Sequence, residues 1–335
     1  MANTPVGNAT NGLAPPSMLA WRVHEFGPPE AMILEKIPRP VPGPGEVLIE
    51  VHAAGVGPWD GWIRAGKSAL PQPLPLTLGS DLSGTVAALG SGVSDIALGE
   101  QVFGVTNSQF LGAYAEYAVA SVGMLAKKPS SLTYAEAASV PVVAVTAWQA
   151  LFDHAHLQAG QTVVIHGAAG NVGTYAVQFA RRARLRSIAT AGTKDIGYVR
   201  SLGADKVLDY HAQPFEDAVK DADAVLDLVG GETQTRSFQV LRPGGKLISA
   251  VSQPDQARAK HHGVTAAFFL VEVTTERLRN IADLIDRGEL KTHVGMVLPF
   301  AGARDAHMIL EGRLRPPKGK IILNVEAAGE VPAPA

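Results

Sequence analysis

Residues 163–180, VVIHGAAGNVGTYAVQFA, carry an apolar β-branched run into three glycines at intervals of three and then into a helical pattern. Val163, Val164 and Ile165 suit a parallel strand covered on both faces, where polar residues need not alternate with apolar ones. Gly167, Gly170 and Gly173 permit a tight turn, close approach of backbone to a ligand, and close packing of helix on strand. The helix that follows, with Val172, Ala176, Phe179 and Ala180 at helical spacing, aims its unpaired N–H groups and positive dipole end at that turn. The stretch 167–173, which also contains Ala168, Ala169, Asn171 and Val172, therefore reads as a pyrophosphate cradle. Glycine supplies 35 of the 335 residues, so the spacing alone is weak and the flanking pattern gives it specificity.

Downstream, short apolar strands at 187–190, 206–210, 223–229 and 244–250 alternate with helical segments, one of them at 196–202. That alternation predicts an α/β fold, a Rossmann-type doubly wound parallel sheet with its ligand across the carboxyl ends of the strands. At the tip of the second strand an Asp or Glu would accept the ribose 2′-hydroxyl of NAD. Gly192, Thr193 and Lys194 stand there instead and offer space, a hydroxyl and a positive charge, which suit the 2′-phosphate of NADP. Asp195, one residue further on, reads as the N-cap of the next helix.

The first 140 residues have a different texture, with Pro- and Gly-rich punctuation between strands at 46–51, 82–88, 101–105 and 115–119. This pattern predicts an antiparallel, β-rich domain. Helical patterns follow at 134–138 and 146–152. Beyond 271 come an amphipathic helix at 275–287, a second helix near 303–310 and a strand at 320–325, which return to complete the first domain.

A chain of this length at 46% hydrophobic residues is expected to form two domains. With 29 basic against 31 acidic residues and a net charge of −2, it carries no electrostatic footprint for nucleic acid or an anionic membrane. No apolar run reaches the roughly 18 residues of a membrane span. Residues 1–17 lack the regions of a secretory signal and read as a disordered polar extension, which makes the cytoplasm the expected location. Cysteine is absent, which removes disulfides, thiol nucleophiles and every zinc site that uses sulfur.

HGAAGNVGTYAVQFAR (166–181), SLGADKVLDY (201–210), LDLVGGE (226–232), LRPGGKLIS (241–249) and PPKGKIILNV (316–325) occur in an order that resembles the medium-chain dehydrogenase/reductase superfamily. The N-terminal half agrees, through PRPVPGPGEVLIEVHAAGVGPWDGWIRAG (38–66), GSDLSGTVAALGSGV (79–93), GAYAEYAVA (112–120) and PVVAVTAWQAL (141–151). Residues 18–325 most resemble its zinc-independent quinone oxidoreductase branch, which includes zeta-crystallin and the enone reductases. The resemblance implies a GroES-like substrate domain (18–139 and 276–326), a Rossmann NADP-binding domain (140–275), a flexible tail (327–335) and a site between the domains. It also implies NADPH as hydride donor, a small-molecule substrate and a homodimer. Gly79-Ser80-Asp81 stands where zinc-dependent members carry Gly-His-Glu, so no metal is expected.

Residue by residue, the resemblance places Gly192, Thr193, Lys194 and Tyr210 around the 2′-phosphate. It places Thr146, Val229, Val251, Phe268, Phe269 and Val271 near the nicotinamide, and Lys320 at the cofactor. Quinone oxidoreductases present an Asn and a Tyr beside the nicotinamide; here Gly57 and Trp62 take those positions. Indole donates one hydrogen bond and stacks on flat rings but delivers no proton. Trp62 is thus expected to shape the substrate pocket and Asp60 to fix its loop. The proton is expected from water, from another hydroxyl such as Tyr114, or not to be needed. His154 and His156 are expected at an exposed helix end, His261 and His262 in a polar loop, and His166 in a structural hydrogen bond. The expected activity is hydride transfer from NADPH to a quinone or an α,β-unsaturated carbonyl. An enoyl-thioester reductase and a catalytically idle, crystallin-like nucleotide- or RNA-binding protein remain as alternatives.

Overall fold

The computed structural model describes residues 16–315 and 317–325. Of the expected N-terminal extension, all but Pro16 and Ser17 lie outside the described residues, as does the expected tail. Ser17 opens the strand Ser17–Val23, which pairs antiparallel with Met32–Pro38.

Six parallel strands form one sheet in the order Lys206–Asp209, Arg186–Ala191, Thr162–Ile165, Ala222–Asp227, Leu241–Ser249, Thr265–Phe268. The chain enters at the centre, winds outward to one side, then returns and winds outward to the other. Strand order therefore reverses beside Thr162–Ile165, and a crevice opens outside the strand ends at that point. Val163, Val164 and Ile165 are fully buried, with Ile188 and Val225 flanking Val164 on the two neighbouring strands. The helix Asn171–Arg182 follows the glycine turn, and its Ala176, Val177, Phe179 and Ala180 join the core beneath the sheet.

A second, seven-stranded sheet is built on the long strand Glu46–Val56, which pairs with Asp81–Leu89, Tyr117–Ser121 and Lys320–Asn324. The register Ile321↔Val56 returns the C-terminal strand to the N-terminal half. The helix Thr275–Asp286 buries Leu278, Ile281, Leu284 and Ile285 in a core shared by the two parts, with Phe103, Val105 and Ala126 of the β-rich sheet and Val163 and Ile165 of the parallel one.

Several elements differ from the sequence reading. The helix expected over 146–152 starts at Pro141, because proline fits a first helical turn where its missing N–H costs nothing. It continues as a wider π-helical run, Gln149–His154, in which the Ala155 N–H reaches back five residues to Ala150. His261 and His262 lie not in a loop but in the last turn of the helix Gln256–His262, capped by Asp255 and ended by Gly263 in the left-handed region. Met32–Pro38 lies in a separate three-stranded sheet with Ser17–Val23 and Leu76–Thr77, while Thr265–Phe268 and Val294–Pro299 are edge strands of the six- and seven-stranded sheets.

Candidate active site

The glycine turn at the switch point has the stereochemistry of a ligand cradle. Gly167 holds φ +69°, which favours glycine, and a Cβ on Gly173 would lie 2.3 Å from the Gly167 carbonyl oxygen. Helix and turn touch only because residue 173 has no side chain. Within the turn, the Ala168 N–H donates to the Thr190 carbonyl and the Gly170 N–H to the Gly167 carbonyl, so neither is free for a phosphate. The N–H groups of Asn171, Val172 and Gly173 occupy the first helical turn, which lacks intrahelical acceptors. These three residues fit the pyrophosphate of a dinucleotide.

At the tip of Arg186–Ala191, Gly192 lies under Tyr210: a Cβ there would stand 3.1 Å from the Tyr210 hydroxyl. Tyr210 is 57% exposed, and Thr193 and Lys194 are exposed beside it. The structure thus groups the four residues assigned to the 2′-phosphate. It also adds two acids. The Thr193 hydroxyl donates to Asp209 at 2.7 Å, an interaction that holds the Asp209 carboxyl below the usual range. Asp195 stands at the N-cap position of Ile196–Ser201 but does not cap it; its carboxylate instead pairs with Lys318.

A cavity of about 640 Å³ opens from the glycine turn to the β-rich side. Thr146, Gly167, Gly170, Asn171, Val172 and Gly173 line it, together with Val251, Phe268, Phe269 and Val271 from the ends of the last two parallel strands. Trp62, 50% exposed, forms part of the opposite wall with Trp59, Leu70 and Phe110. The Thr146 hydroxyl donates to its own helix at the Val142 carbonyl, 2.7 Å away. Val229 does not line the cavity; its N–H donates to the buried Asp227, which also accepts from Gly230, Gln234 and Ser249 and so fixes the loops after two strands. The sequence reading missed Asp227, although an acid at a strand tip ahead of Gly230-Gly231 signals such a turn.

Asp60 holds its loop as expected, whereas Tyr114 is not placed to supply a proton. Neither lines the cavity, and both are fully buried behind its wall. The Tyr114 hydroxyl donates to Asp60 Oδ2 at 3.1 Å, and the Gly57 N–H donates to the same oxygen at 2.8 Å. Burial, with the neighbouring Asp60 charge, raises the Tyr114 hydroxyl well above its ordinary range, so it is not poised to release a proton. Burial also pushes Asp60 up to about 7, against the lowering effects of the Gly57 N–H and Lys320. Asp60 anchors the start of the helix Pro58–Arg64, which carries Trp62. Gly57 is matched to Trp59, because a Cβ at 57 would lie 2.3 Å from the indole.

Lys320 lines the cavity although only 1% exposed, and it donates to Asp81 at 2.9 Å. Its ammonium also stands 4.2 Å from the centre of the Trp59 ring. Asp81 accepts from the Val142 N–H as well, which leaves that carboxylate engaged by a cation and a backbone donor. Burial raises the Asp81 carboxyl despite Lys320. Among the described residues no group of three His, Asp or Glu converges, and the sequence has no cysteine. The donor set does not fit a catalytic zinc. His166 makes the expected structural bonds, to Thr190 Oγ1 at 3.0 Å and Ser237 Oγ at 3.1 Å, and burial pushes it down to about 4.

A glycine-cradled parallel sheet facing a β-rich sheet across an apolar cleft defines a two-part oxidoreductase of the nicotinamide-dependent class. Residues 43–130 match the family model for the alcohol dehydrogenase GroES-like domain, and 202–323 that for zinc-binding dehydrogenase. The human quinone oxidoreductase is 32% identical over 308 residues, covering 87% of this chain and 93% of that protein. The structure of the quinone oxidoreductase from Coxiella burnetii superposes with a TM-score of 0.85 at 32% identity, covering 92% of this chain and all of the other. A mycobacterial protein complexed with NADPH gives 0.81 at 31% identity, again over 92% and 100% of the two chains. The chain belongs to the medium-chain dehydrogenase/reductase superfamily, as a quinone oxidoreductase-like member.

Proposed function

We propose that this protein is an NADPH-dependent, zinc-independent reductase that transfers hydride to a quinone or an α,β-unsaturated carbonyl. The observation that carries the reading is the cleft itself: one end is the glycine cradle, and the other is an apolar wall built around Trp62. When bound, the reduced nicotinamide supplies a hydride; with one proton from solvent, acceptor plus NADPH plus H⁺ gives the reduced acceptor and NADP⁺.

The chain's own residues bind and position. The N–H groups of residues 171–173 take the pyrophosphate, and Lys194 with Tyr210 takes the 2′-phosphate. Phe268, Phe269 and Val271 wall the cofactor side, while Lys320, its charge balanced by Asp81, offers a positioned N–H donor to the cofactor. Trp62 confines a flat acceptor against the opposite face and excludes water. No zinc polarises an acceptor oxygen in this reading, which favours acceptors whose conjugation spreads the developing charge.

The reading assigns residues 18–139 and 276–326 to substrate binding and 140–275 to the cofactor, in a cytoplasmic homodimer. The strand Thr265–Phe268 leaves one edge of the parallel sheet without a neighbour among the described residues, which suits pairing between copies. The test is NADPH oxidation by purified protein with a panel of quinones, alkenals, acyl thioesters and saturated aldehydes. Turnover of quinones or alkenals is expected. Turnover confined to saturated aldehydes overturns the reading, and preference for acyl thioesters moves it to enoyl reduction.

A further inference from the structure

The helix that carries Trp62 ends in a geometry that also sets a cationic residue at the cavity. The Gly66 N–H donates to the Ile63 carbonyl at 3.0 Å and the Lys67 N–H to the Trp62 carbonyl at 2.8 Å, a paired cap around Gly66 at φ +69°. The Ser68 hydroxyl then accepts from the Leu70 N–H at 3.1 Å, which orders the next turn. The cap therefore ties the backbone of Lys67 to the helix that carries Trp62. Lys67 lines the cavity and is exposed, with no side-chain hydrogen bond or ion pair to any described residue.

The rest of the lining sharpens the point. Among the described residues that line the cavity, the only charged ones are Lys67 and Lys320, and none is Asp or Glu. Asp81 offsets Lys320, so one uncompensated positive charge remains, set against an apolar wall of Trp62, Leu70 and Phe110. An apolar cleft with one free cation at its wall favours flat molecules that carry one acidic group.

We propose that the acceptor reduced in this cleft is a conjugated ring or enone bearing an anionic substituent, carboxylate or sulfonate in kind, and that Lys67 binds that substituent. This inference rests on the reductase reading above. Lys67 then acts on specificity: it orients the acceptor's acidic end away from the glycine cradle.

The experiment compares 1,2-naphthoquinone with 1,2-naphthoquinone-4-sulfonate as acceptors for NADPH in the wild type, Lys67→Ala, Lys67→Arg and Lys67→Glu. The ratio of kcat/KM for the sulfonate to that for the neutral ring should fall about five- to tenfold in Lys67→Ala, as expected for loss of one charge-assisted contact. It should fall further in Lys67→Glu and recover in Lys67→Arg. An unchanged ratio overturns the assignment while leaving the reductase reading intact. If neither quinone is turned over, the reductase reading fails. Sulfonate binding to the NADP⁺-loaded protein, followed by tryptophan fluorescence, then decides separately: weaker binding in Lys67→Ala supports the assignment, and equal binding overturns it.

Discussion

Lys194 makes no ion pair with the acids beside it: Thr193 engages Asp209, and Lys318 engages Asp195. Its charge is left for a ligand, and Lys194→Ala should weaken NADPH binding about tenfold or more while changing NADH binding little, as measured by titration with both cofactors. Equal losses would remove the 2′-phosphate assignment. Asp60 gives a pH signature. Its native carboxyl titrates at about 7 rather than at its ordinary value of 3.8, so the folded state binds the extra proton between those limits. Stability from this group is therefore greatest at low pH and is lost as pH rises, by about 1.4 kcal/mol per unit. Chemical denaturation at pH 5 and pH 7 should show Asp60→Asn gaining on the wild type by about 2–3 kcal/mol across that interval. His166 has the opposite slope: its pKa is held at about 4, so the wild type loses stability as pH falls below 6.5, and His166→Asn should flatten that acid arm. The positions of the glycines and of Lys194 were legible because a turn and a strand tip each have a local signature. The Asp81–Lys320 pair was not, because its members lie 239 residues apart and neither has a sequence neighbour that hints at the other.

The glycine-turn helix stands on its strand only through the bare Cα of residue 173. Gly173→Ala would set a Cβ within 2.6 Å of Ala168 Cα as well as against Gly167, so the helix must retreat and carry its first-turn N–H groups away from the cradle. Overpacking of this kind costs about 1–3 kcal/mol of stability, and calorimetry should also find dinucleotide affinity lost well beyond that of a surface substitution. Normal affinity in a folded Gly173→Ala protein would contradict the cradle. The central parallel strands were readable because both faces are buried and the sequence runs unbroken in apolar residues. The strands Met32–Pro38 and Val294–Pro299 were not, since most of their residues are half-buried or exposed and follow no clean alternation. The helix Gln256–His262 had its signals, Asp255 and Gly263, but only Ala259 is buried, so no apolar stripe marked it.

Across the whole molecule, Asp81 ties three distant pieces together: its own strand in the β-rich sheet, the C-terminal strand through Lys320, and the start of the helix Pro141–Trp148 through Val142. Removing one charge leaves the other buried and unpaired, so Asp81→Asn should cost about 3–5 kcal/mol in chemical denaturation, and adding Lys320→Met should restore part of that loss. Simple additivity of the two would show that the pair is not coupled. The two-part architecture followed from local texture, β-rich punctuation first and strand–helix alternation second. The wall of the cleft did not, because Trp59, Phe110 and Val142 meet only when both parts are folded. Steady-state reduction of 1,2-naphthoquinone by NADPH, with protein stripped by a chelator and assayed for bound metal, tests the central claim most directly. Full turnover by metal-free protein is the predicted result; activity that vanishes on chelation and returns with stoichiometric zinc would contradict it.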